Sequence, residues 1–439
     1  MISQIAFAVI LLAGIILFTL RIRTIRRNIL LGRDTDRSDN KAQRWKTMAL
    51  VALGQSKMVT RPIAGFLHIL VYVGFVIINI EVVEIIIDGA FGTHRVLSFL
   101  GGFYDILIGS FEILALLVLV ACVIFLIRRN IMRIRRFHLK EMTAWPKTDA
   151  NLILIWECLL MFAFLSMDYA DLQLQQMGAD HYHTAGSFPI AQHLDFIWGG
   201  ITSEAGLIML ERGMWWFHIV GILAFLVYIT YSKHLHIVLA FPNTYYSNLQ
   251  PKGRMTNMEA VTNEVKLMMD PAADPYAAPP AAEEGAAPQR FGAKDVTDLT
   301  WKQLLDSYTC TECGRCSSVC PANQTGKLLS PRKIVMDTRD RLQEVGKNID
   351  KGVEDDGKSL LRDYITEEEL WACTTCNACT EACPVNIDPL STILDLRRFL
   401  IMEESKSPDS ITAMFNNVEN NGAPWAFSAM ERENWRNEE

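Results

Sequence analysis

The 439-residue sequence lacks the short motifs by which many redox proteins bind nucleotides or attach haem. It has no G-x-G-x-x-G dinucleotide fingerprint, so we expect no nicotinamide or flavin to be bound by that means. Cys-x-x-Cys-His is also absent, which excludes covalently attached haem. Any haem in this chain would therefore be held by side chains that ligate its iron, without covalent attachment.

Charge is scarce as well, since 21% of the residues are charged whereas 50% are hydrophobic. The net charge of -7 argues against a nucleic-acid partner. No basic residue precedes the first apolar segment and no small-residue cleavage site follows it, so that segment is predicted to be an anchor and not a signal peptide. Five segments are predicted to cross a membrane as helices. They comprise residues 5–20, 63–87, 104–127, 152–167 and 214–240.

Lysine and arginine are distributed unevenly between the predicted loops. Residues 21–46 contain nine and residues 128–147 contain seven, whereas the loops 89–103 and 169–212 contain one each. Because basic loops stay in the cytoplasm, we expect a multi-pass protein of the bacterial cytoplasmic (inner) membrane with its N-terminus outside. Everything after about residue 241 would be cytoplasmic, where clustered thiols bind metal in preference to forming disulfides.

The predicted fold is an all-α five-helix transmembrane bundle followed by a mainly α-helical cytoplasmic ferredoxin domain. The membrane domain is expected over residues 1–241, and a polar segment with a Pro/Ala-rich linker over 242–294. Such a linker cannot bury a core and is typical of a semi-extended spacer. The ferredoxin domain is expected over residues 295–404, and a partner-docking tail over 405–439.

The strongest chemical signal is a repeated cysteine motif, Cys-x2-Cys-x2-Cys-x3-Cys-Pro, in residues 310–321 and 373–384. This spacing is typical of ferredoxins with two 4Fe-4S clusters, in which the fourth cysteine of each motif ligates the other cluster. Zinc sites usually split their ligands into two distant pairs, so zinc is the weaker alternative. Cys122 and Cys158, within predicted spans, are expected to be small buried residues. The crossed pattern assigns Cys310, Cys313, Cys316 and Cys383 to one cluster, and Cys373, Cys376, Cys379 and Cys320 to the other.

Histidines within the predicted spans suggest a haem. His68 and His236 would lie at the same depth near the cytoplasmic side on two helices, an arrangement that suits the two axial ligands of a b-type haem. The alternative is that both histidines form hydrogen bonds with neighbouring polar groups and bind no haem. On one continuous helix, His218 and His236 would share a face, whereas His234 would point towards headgroups or cytoplasm. His218 is a candidate ligand of a second haem or of a quinone carbonyl.

These residues carry a resemblance to known families. The segments RPIAGFLHILVYVGF and WWFHIVGILAFLVYITYSKHLHIVLAFPN resemble the haem b membrane subunit (gamma chain) of respiratory nitrate reductase and the related membrane subunit of heterodisulfide reductase. The cysteine region resembles the C subunit of heterodisulfide reductase. The fusion, with its tail NVENNGAPWAFSAMERENW, is similar to the membrane subunit of electron-transfer-flavoprotein:menaquinone oxidoreductases.

The resemblance implies further assignments. His68, His218 and His236 correspond to three of the four ligands of two b haems, and Ile78 stands where the fourth would be. The related enzymes also use a Cys-Cys-Gly catalytic domain. Because no two cysteines are adjacent here, that chemistry would belong to another subunit.

The sequence therefore predicts an electron-transfer subunit of an oxidoreductase complex. Electrons from a cytoplasmic Cys-Cys-Gly partner or electron-transfer flavoprotein would pass through two 4Fe-4S clusters and haem b to menaquinone. Glu81, Glu84 and Asp88 would either relay protons or lie at the membrane interface. The alternatives are the reverse reaction, which feeds a cytoplasmic disulfide or sulfite reductase, and a redox sensor or scaffold.

Overall fold

The computed structural model describes residues 1–251, 253–272 and 290–437. Within these ranges the chain forms helices and no strand, with two isolated β-bridges, Arg33–Thr300 and Leu361–Ile365. The prediction of a mainly helical protein is confirmed. Residues 273–289, the greater part of the predicted linker, lie outside the described residues.

Five helices are long and apolar enough to cross a membrane, as predicted. They are longer than the apolar segments that identified them; the fourth has 33 residues where 152–167 was expected. The extensions contain acidic residues such as Asp149 and Asp171, which lower the mean hydropathy of the segment. The structure buries both residues against neighbouring helices, which hydropathy alone does not predict. The five spans are Ile2–Ile29, Pro62–Phe91, Gly102–Asn130, Trp145–Met177 and Glu204–Tyr231.

The fifth span does not continue as one helix to residue 240. The α-helix ends at Tyr228, and 3-10 turns at Ile229–Tyr231 and Lys233–Leu235 precede a separate helix, His236–Tyr245. Ser232 between the turns is extended, and its Oγ accepts a hydrogen bond from the His234 N–H at 3.1 Å. A serine side chain that bonds nearby backbone competes with the helix. The prediction that His218 and His236 share a face of one helix is therefore wrong.

The spans pack around buried aromatic rings and small residues. Phe7, Phe111 and Phe164 are each at most 1% exposed. Gly89 lies so close to Phe7 that an added Cβ would be 2.8 Å from the ring, and an added Cβ on Gly74 would be 2.5 Å from Val118. Small residues at such positions let membrane helices approach closely.

The cysteine region forms a compact helical unit. Capping boxes at Thr300/Gln303 and Thr366/Glu369 start two of its helices, because each satisfies backbone N–H groups that the first turn leaves free. The helices of this unit are Trp301–Thr309, Arg315–Val319, Pro321–Gln324, Pro331–Lys351, Leu360–Asp363, Glu367–Trp371, Ala378–Ala382 and Pro389–Met402. Outside it and the spans, the α-helices are Lys41–Met48, Asp195–Trp198, His236–Tyr245, Glu259–Met269 and Asp409–Asn421, and a π-helical turn covers Ala49–Leu53.

The membrane bundle and the cysteine region share one hydrophobic core. Ile25, Ile29 and Phe225 from the spans are in the same buried cluster as Leu304 and Leu342. Polar contacts extend this interface. The Arg33 N–H donates to the Leu299 carbonyl at 2.7 Å, the Trp301 N–H to the Arg33 carbonyl at 3.0 Å, and the Asn243 amide to the Val385 carbonyl at 2.9 Å.

Candidate functional site

The two cysteine motifs adopt the same local conformation. In each, the second and fourth residues after the first cysteine have positive φ: Glu312 (+54°) and Gly314 (+70°) in one motif, Thr375 (+55°) and Asn377 (+59°) in the other. A short helix follows in both cases. These left-handed positions turn the chain back on itself, which lets neighbouring cysteine side chains face a common centre.

Backbone N–H groups point at three of the sulfur atoms. Glu312 N lies 3.4 Å from Cys310 Sγ, Thr375 N lies 3.4 Å from Cys373 Sγ, and Ile387 N lies 3.3 Å from Cys383 Sγ. Hydrogen bonds to the sulfurs are one means by which a protein sets the potential of an iron–sulfur cluster.

Cysteines of the two motifs lie next to one another in the structure, and their assignment to two crossed sets stays a prediction. The Cys383 thiol interacts with those of Cys310 and Cys313, and the Cys316 thiol joins this group. A small pocket is lined by Cys320, Cys373, Cys376 and Cys379.

The grouping suits a cluster better than a single ion. In the part of the chain that the structure describes, no three His, Cys, Asp or Glu side chains converge closely enough to hold one metal ion, and the ten cysteines are unbridged. A zinc site needs four donors around one ion, whereas each iron of a cube takes its own thiolate. Burial raises the pKa of Cys310, Cys379 and Cys383 to about 12, so the bare thiols are protonated and metal binding must release those protons.

The two sets differ in their surroundings. Cys310 and Cys383 are buried and pack with Ala52 and Ala240, which adjoin the membrane bundle. Cys376, in contrast, is exposed. Cys320 and Cys379 of the same set are buried. One set therefore packs against the bundle, and the other reaches the surface at Cys376.

His68 and His236 meet at the end of the bundle nearest the cysteines. Their ring centroids are 6.4 Å apart with the ring planes at 43°. A metal about 2 Å from a nitrogen of each ring would separate the centroids by roughly 6–6.5 Å. The His236 Nδ1 lies 3.1 Å from the Lys233 carbonyl, which leaves Nε2 available to a metal, and the buried His68 Nδ1 has no hydrogen-bond partner. The two rings are therefore spaced as two ligands of one metal would be.

His234 is not where the sequence predicted it. Its ring lies 5.5 Å from that of His236 and 5.4 Å from that of Phe225, so it faces protein and not headgroups or cytoplasm. The break at Ser232 is the reason, because the prediction assumed a continuous helix.

His218 is buried near the middle of the fifth span. It is 1% exposed, its Nδ1 has no hydrogen-bond partner, and its ring centroid lies 5.8 Å from that of Phe164. Ile78, at the position of the fourth haem ligand in the resembled family, is buried at 5% exposure. His94, in the loop after the second span, contacts Tyr182 and His183.

Lys233 and Glu312 connect the membrane bundle to the cysteine region. The sequence does not predict this contact. The Lys233 ammonium forms an ion pair with the Glu312 carboxylate, which also accepts a hydrogen bond from Arg339 at 2.8 Å. Burial acts to raise the pKa of Glu312, but Lys233 and Arg339 outweigh it and hold that pKa below its ordinary value. Lysine and arginine are common at the ends of membrane spans. The residues next to Lys233 in the sequence therefore do not indicate its contact with Glu312.

Lys233 and Glu312 also touch both candidate ligand sets. The Lys233 carbonyl contacts the His236 ring, and the Glu312 N–H contacts the Cys310 sulfur. A short chain of bonded groups thus runs from the histidine pair to the bundle-facing cysteines.

Comparison with known proteins supports an iron–sulfur protein. The family described as "4Fe-4S dicluster domain" matches residues 306–387, which contain both cysteine motifs. The probable iron-sulfur-binding oxidoreductase FadF of Bacillus subtilis is 29% identical over 99% of this chain and 61% of its own length. The EtfAB:quinone oxidoreductase of Syntrophomonas wolfei is 25% identical over 92% of this chain and 55% of its own length.

A third relative matches the cysteine region. The C subunit of the ferredoxin/F(420)H(2)-dependent CoB-CoM heterodisulfide reductase of Methanosarcina acetivorans is 35% identical over 27% of this chain and 60% of its own length. The chain thus spans about three fifths of these curated relatives. Their names agree with the prediction of an oxidoreductase. No solved structure matches the chain.

Replacing Lys233 with Met should destabilise the protein by about 3 kcal/mol, because it leaves the buried Glu312 carboxylate short of a counter-charge. Thermal unfolding of the detergent-solubilised protein measures this, and Lys233→Met/Glu312→Gln should recover part of the loss. Lys358→Met, which breaks a solvent-exposed pair with Glu344, is the control and should change little. Equal stability of Lys233→Met and wild type would contradict the role of this pair.

Proposed function

We propose that this chain is the membrane-anchored electron-transfer subunit of an oxidoreductase complex of the cytoplasmic membrane, working between a cytoplasmic partner and menaquinone. The observation that carries the proposal is the order of the candidate ligand sets. The exposed Cys376 set, the buried Cys310 set and the pair His68–His236 follow one another from solvent towards the bundle.

The proposed ligands follow the geometry described above. When bound, two 4Fe-4S clusters and a haem b supply one-electron carriers. Cys310, Cys313, Cys316 and Cys383 would hold one cluster, and Cys320, Cys373, Cys376 and Cys379 would hold the other. His68 and His236 would hold the haem.

The protein's own residues complete this proposed route. Electrons enter where Cys376 reaches the surface, and the left-handed turns hold each thiolate towards its cluster. The Lys233–Glu312 pair keeps the bundle-facing cysteines against the histidine pair. His218, buried with an unpartnered Nδ1, is the proposed contact for a quinone carbonyl or a second haem.

The proposed orientation places the N-terminus outside and the cysteine region in the cytoplasm. Contacts between the basic loops and the cysteine region support it. Arg332 donates a 2.8 Å hydrogen bond to Glu141 in the second basic loop, and Arg27 pairs with Asp350. Both basic loops thus lie on the side of the bundle that carries the cysteines.

The proposed partner is a cytoplasmic Cys-Cys-Gly subunit or an electron-transfer flavoprotein, with the tail as a docking segment. The tail helix Asp409–Asn421 has no buried residue, and Trp425, Phe427 and Trp435 beyond it are exposed. The similarity to the C subunit of a heterodisulfide reductase also favours a second candidate function, in which quinol is oxidised and electrons leave through the same route to a cytoplasmic disulfide reductase.

The crossed ligation can be tested by cysteine replacement. Cys383→Ser should alter the same electron paramagnetic resonance signal of the reduced protein as Cys313→Ser, and Cys320→Ser the same signal as Cys376→Ser. Wild type should contain about eight iron and eight sulfide per chain. Cys122→Ser, in the membrane bundle, is the control and should change neither signal. Pairing of Cys383 with the Cys376 signal, or zinc in place of iron, would contradict the assignment.

The haem assignment predicts that His68→Ala or His236→Ala removes the b-type absorption from the reduced-minus-oxidised spectrum, because either variant lacks an axial ligand. His181→Ala, at an exposed position in an outer loop, is the matched control. His218→Ala should leave this haem in place. Full haem content in both the His68 and His236 variants would refute the assignment.

A further inference from the structure

A group of buried charges occupies the distal end of the bundle, opposite the cysteine region. Arg95 lies at its centre. Its guanidinium donates to Asp171 at 2.5 Å, to Asp168 at 2.8 Å and to the Tyr104 hydroxyl at 3.2 Å. The Tyr104 hydroxyl in turn donates to Glu84 at 2.8 Å. We call Glu81, Glu84, Glu112, Asp168 and Asp171, which are each 0–4% exposed, the distal carboxyl cluster.

Two pairs of carboxyl groups in this cluster are close enough to interact. Glu81 interacts with Glu84, and Glu112 with Asp168, and all four side chains are buried. Two ionised carboxylates repel one another and neither can donate a hydrogen bond, whereas one proton shared between them makes the contact favourable. One oxygen of Glu81 and one of Asp168 are buried without a hydrogen-bond partner.

The balance of charge favours bound protons in the cluster. Five buried carboxyl groups lie around the one buried guanidinium of Arg95. Backbone N–H groups of Leu97, Ile190 and Ala191 donate to Glu84 and Glu112, but a buried carboxylate without a counter-charge remains costly. No charged side chain comes from residues 2–20 of the first span. The charged and titratable groups that face the cluster are Glu81, Glu84 and Asp88 of the second span, Tyr104 and Glu112 of the third, Asp168 and Asp171 of the fourth, Glu211 and Arg212 of the fifth, and His94, Arg95 and Tyr182 of the loops.

The cluster reaches both the surface and the interior. The His94 Nε2 lies 3.2 Å from Asp171, its side chain is 17% exposed, and the exposed His183 is its neighbour. Histidine can exchange protons near neutral pH. In the other direction, Asp168 lies one helical turn, about 6 Å, from Phe164, which contacts His218.

We propose that the distal carboxyl cluster is a proton-exchange site that holds at least one proton in each carboxyl pair and passes protons between the distal surface and the quinone. This inference rests on the proposed function for its quinone. Reduction of a quinone to a quinol takes two electrons, which arrive from the cysteine side, and two protons, which the cluster supplies through Asp168 and regains through His94. Oxidation of the quinol runs the same exchange in reverse.

Infrared spectroscopy of the whole protein in lipid tests the stored protons without requiring turnover. At neutral pH, wild type should show a protonated-carboxyl carbonyl band that shifts in D2O. Glu81→Gln should reduce this band without lowering thermal stability, because glutamine resembles the neutral acid, and Asp168→Asn is a second variant with the same expected loss. Asp105→Asn, an exposed carboxylate on the third span, is the control and should leave the band unchanged. A missing band, or equal bands in Glu81→Gln and wild type, would overturn the proposal.

A vesicle assay tests the exchange itself. With a membrane-impermeant pH indicator on the distal side, menaquinone reduction should consume protons there, and Glu81→Gln should slow that uptake by about tenfold or more while haem and iron contents stay normal. Equal uptake in Glu81→Gln and wild type would show a purely structural cluster. Absence of haem and of menaquinone reduction in wild type would instead refute the proposed function, and the infrared band would still report on the cluster.

Discussion

The buried ion pair between Lys233 and Glu312 is the interaction on which the relation between the two halves of the molecule depends. Lys233 follows the last span, and Glu312 lies inside the first cysteine motif. Neither charge could stay in this buried interface alone, because an unpaired charge in a low-dielectric environment is strongly unfavourable. The pair therefore fixes how the cysteine region sits on the bundle.

This docking explains why the candidate ligand sets are adjacent. The backbone of Lys233 contacts His236, and the backbone of Glu312 contacts Cys310, so each partner of the ion pair also positions a proposed ligand. The shared hydrophobic core reinforces the same arrangement. At the distal end of the bundle, Arg95 forms ion pairs with the buried carboxylates of Asp168 and Asp171, so the membrane domain has a second buried group of charges.

Much of the fold follows from local signals in the sequence. The five spans are predictable because hydropathy is local, and the iron–sulfur region because the spacing of its two cysteine motifs is local as well. The sequence does not indicate the break at Ser232, and therefore the position of His234, because the break depends on hydrogen bonds from the backbone to the side chains of Ser232 and Asp149. The Lys233–Glu312 and Arg95–Asp168 contacts join residues distant in the chain, and nothing in their neighbours along the sequence distinguishes them.

Electron delivery across the protein tests the central claim most directly. Vesicles that expose the cysteine region and contain menaquinone would receive a membrane-impermeant one-electron reductant. The account predicts that the b-type haem and then menaquinone become reduced in wild type, and that Cys376→Ser, with its haem intact, loses most of this rate. Reduction at the same rate in both proteins, or menaquinone reduction in a protein without haem b, would contradict it.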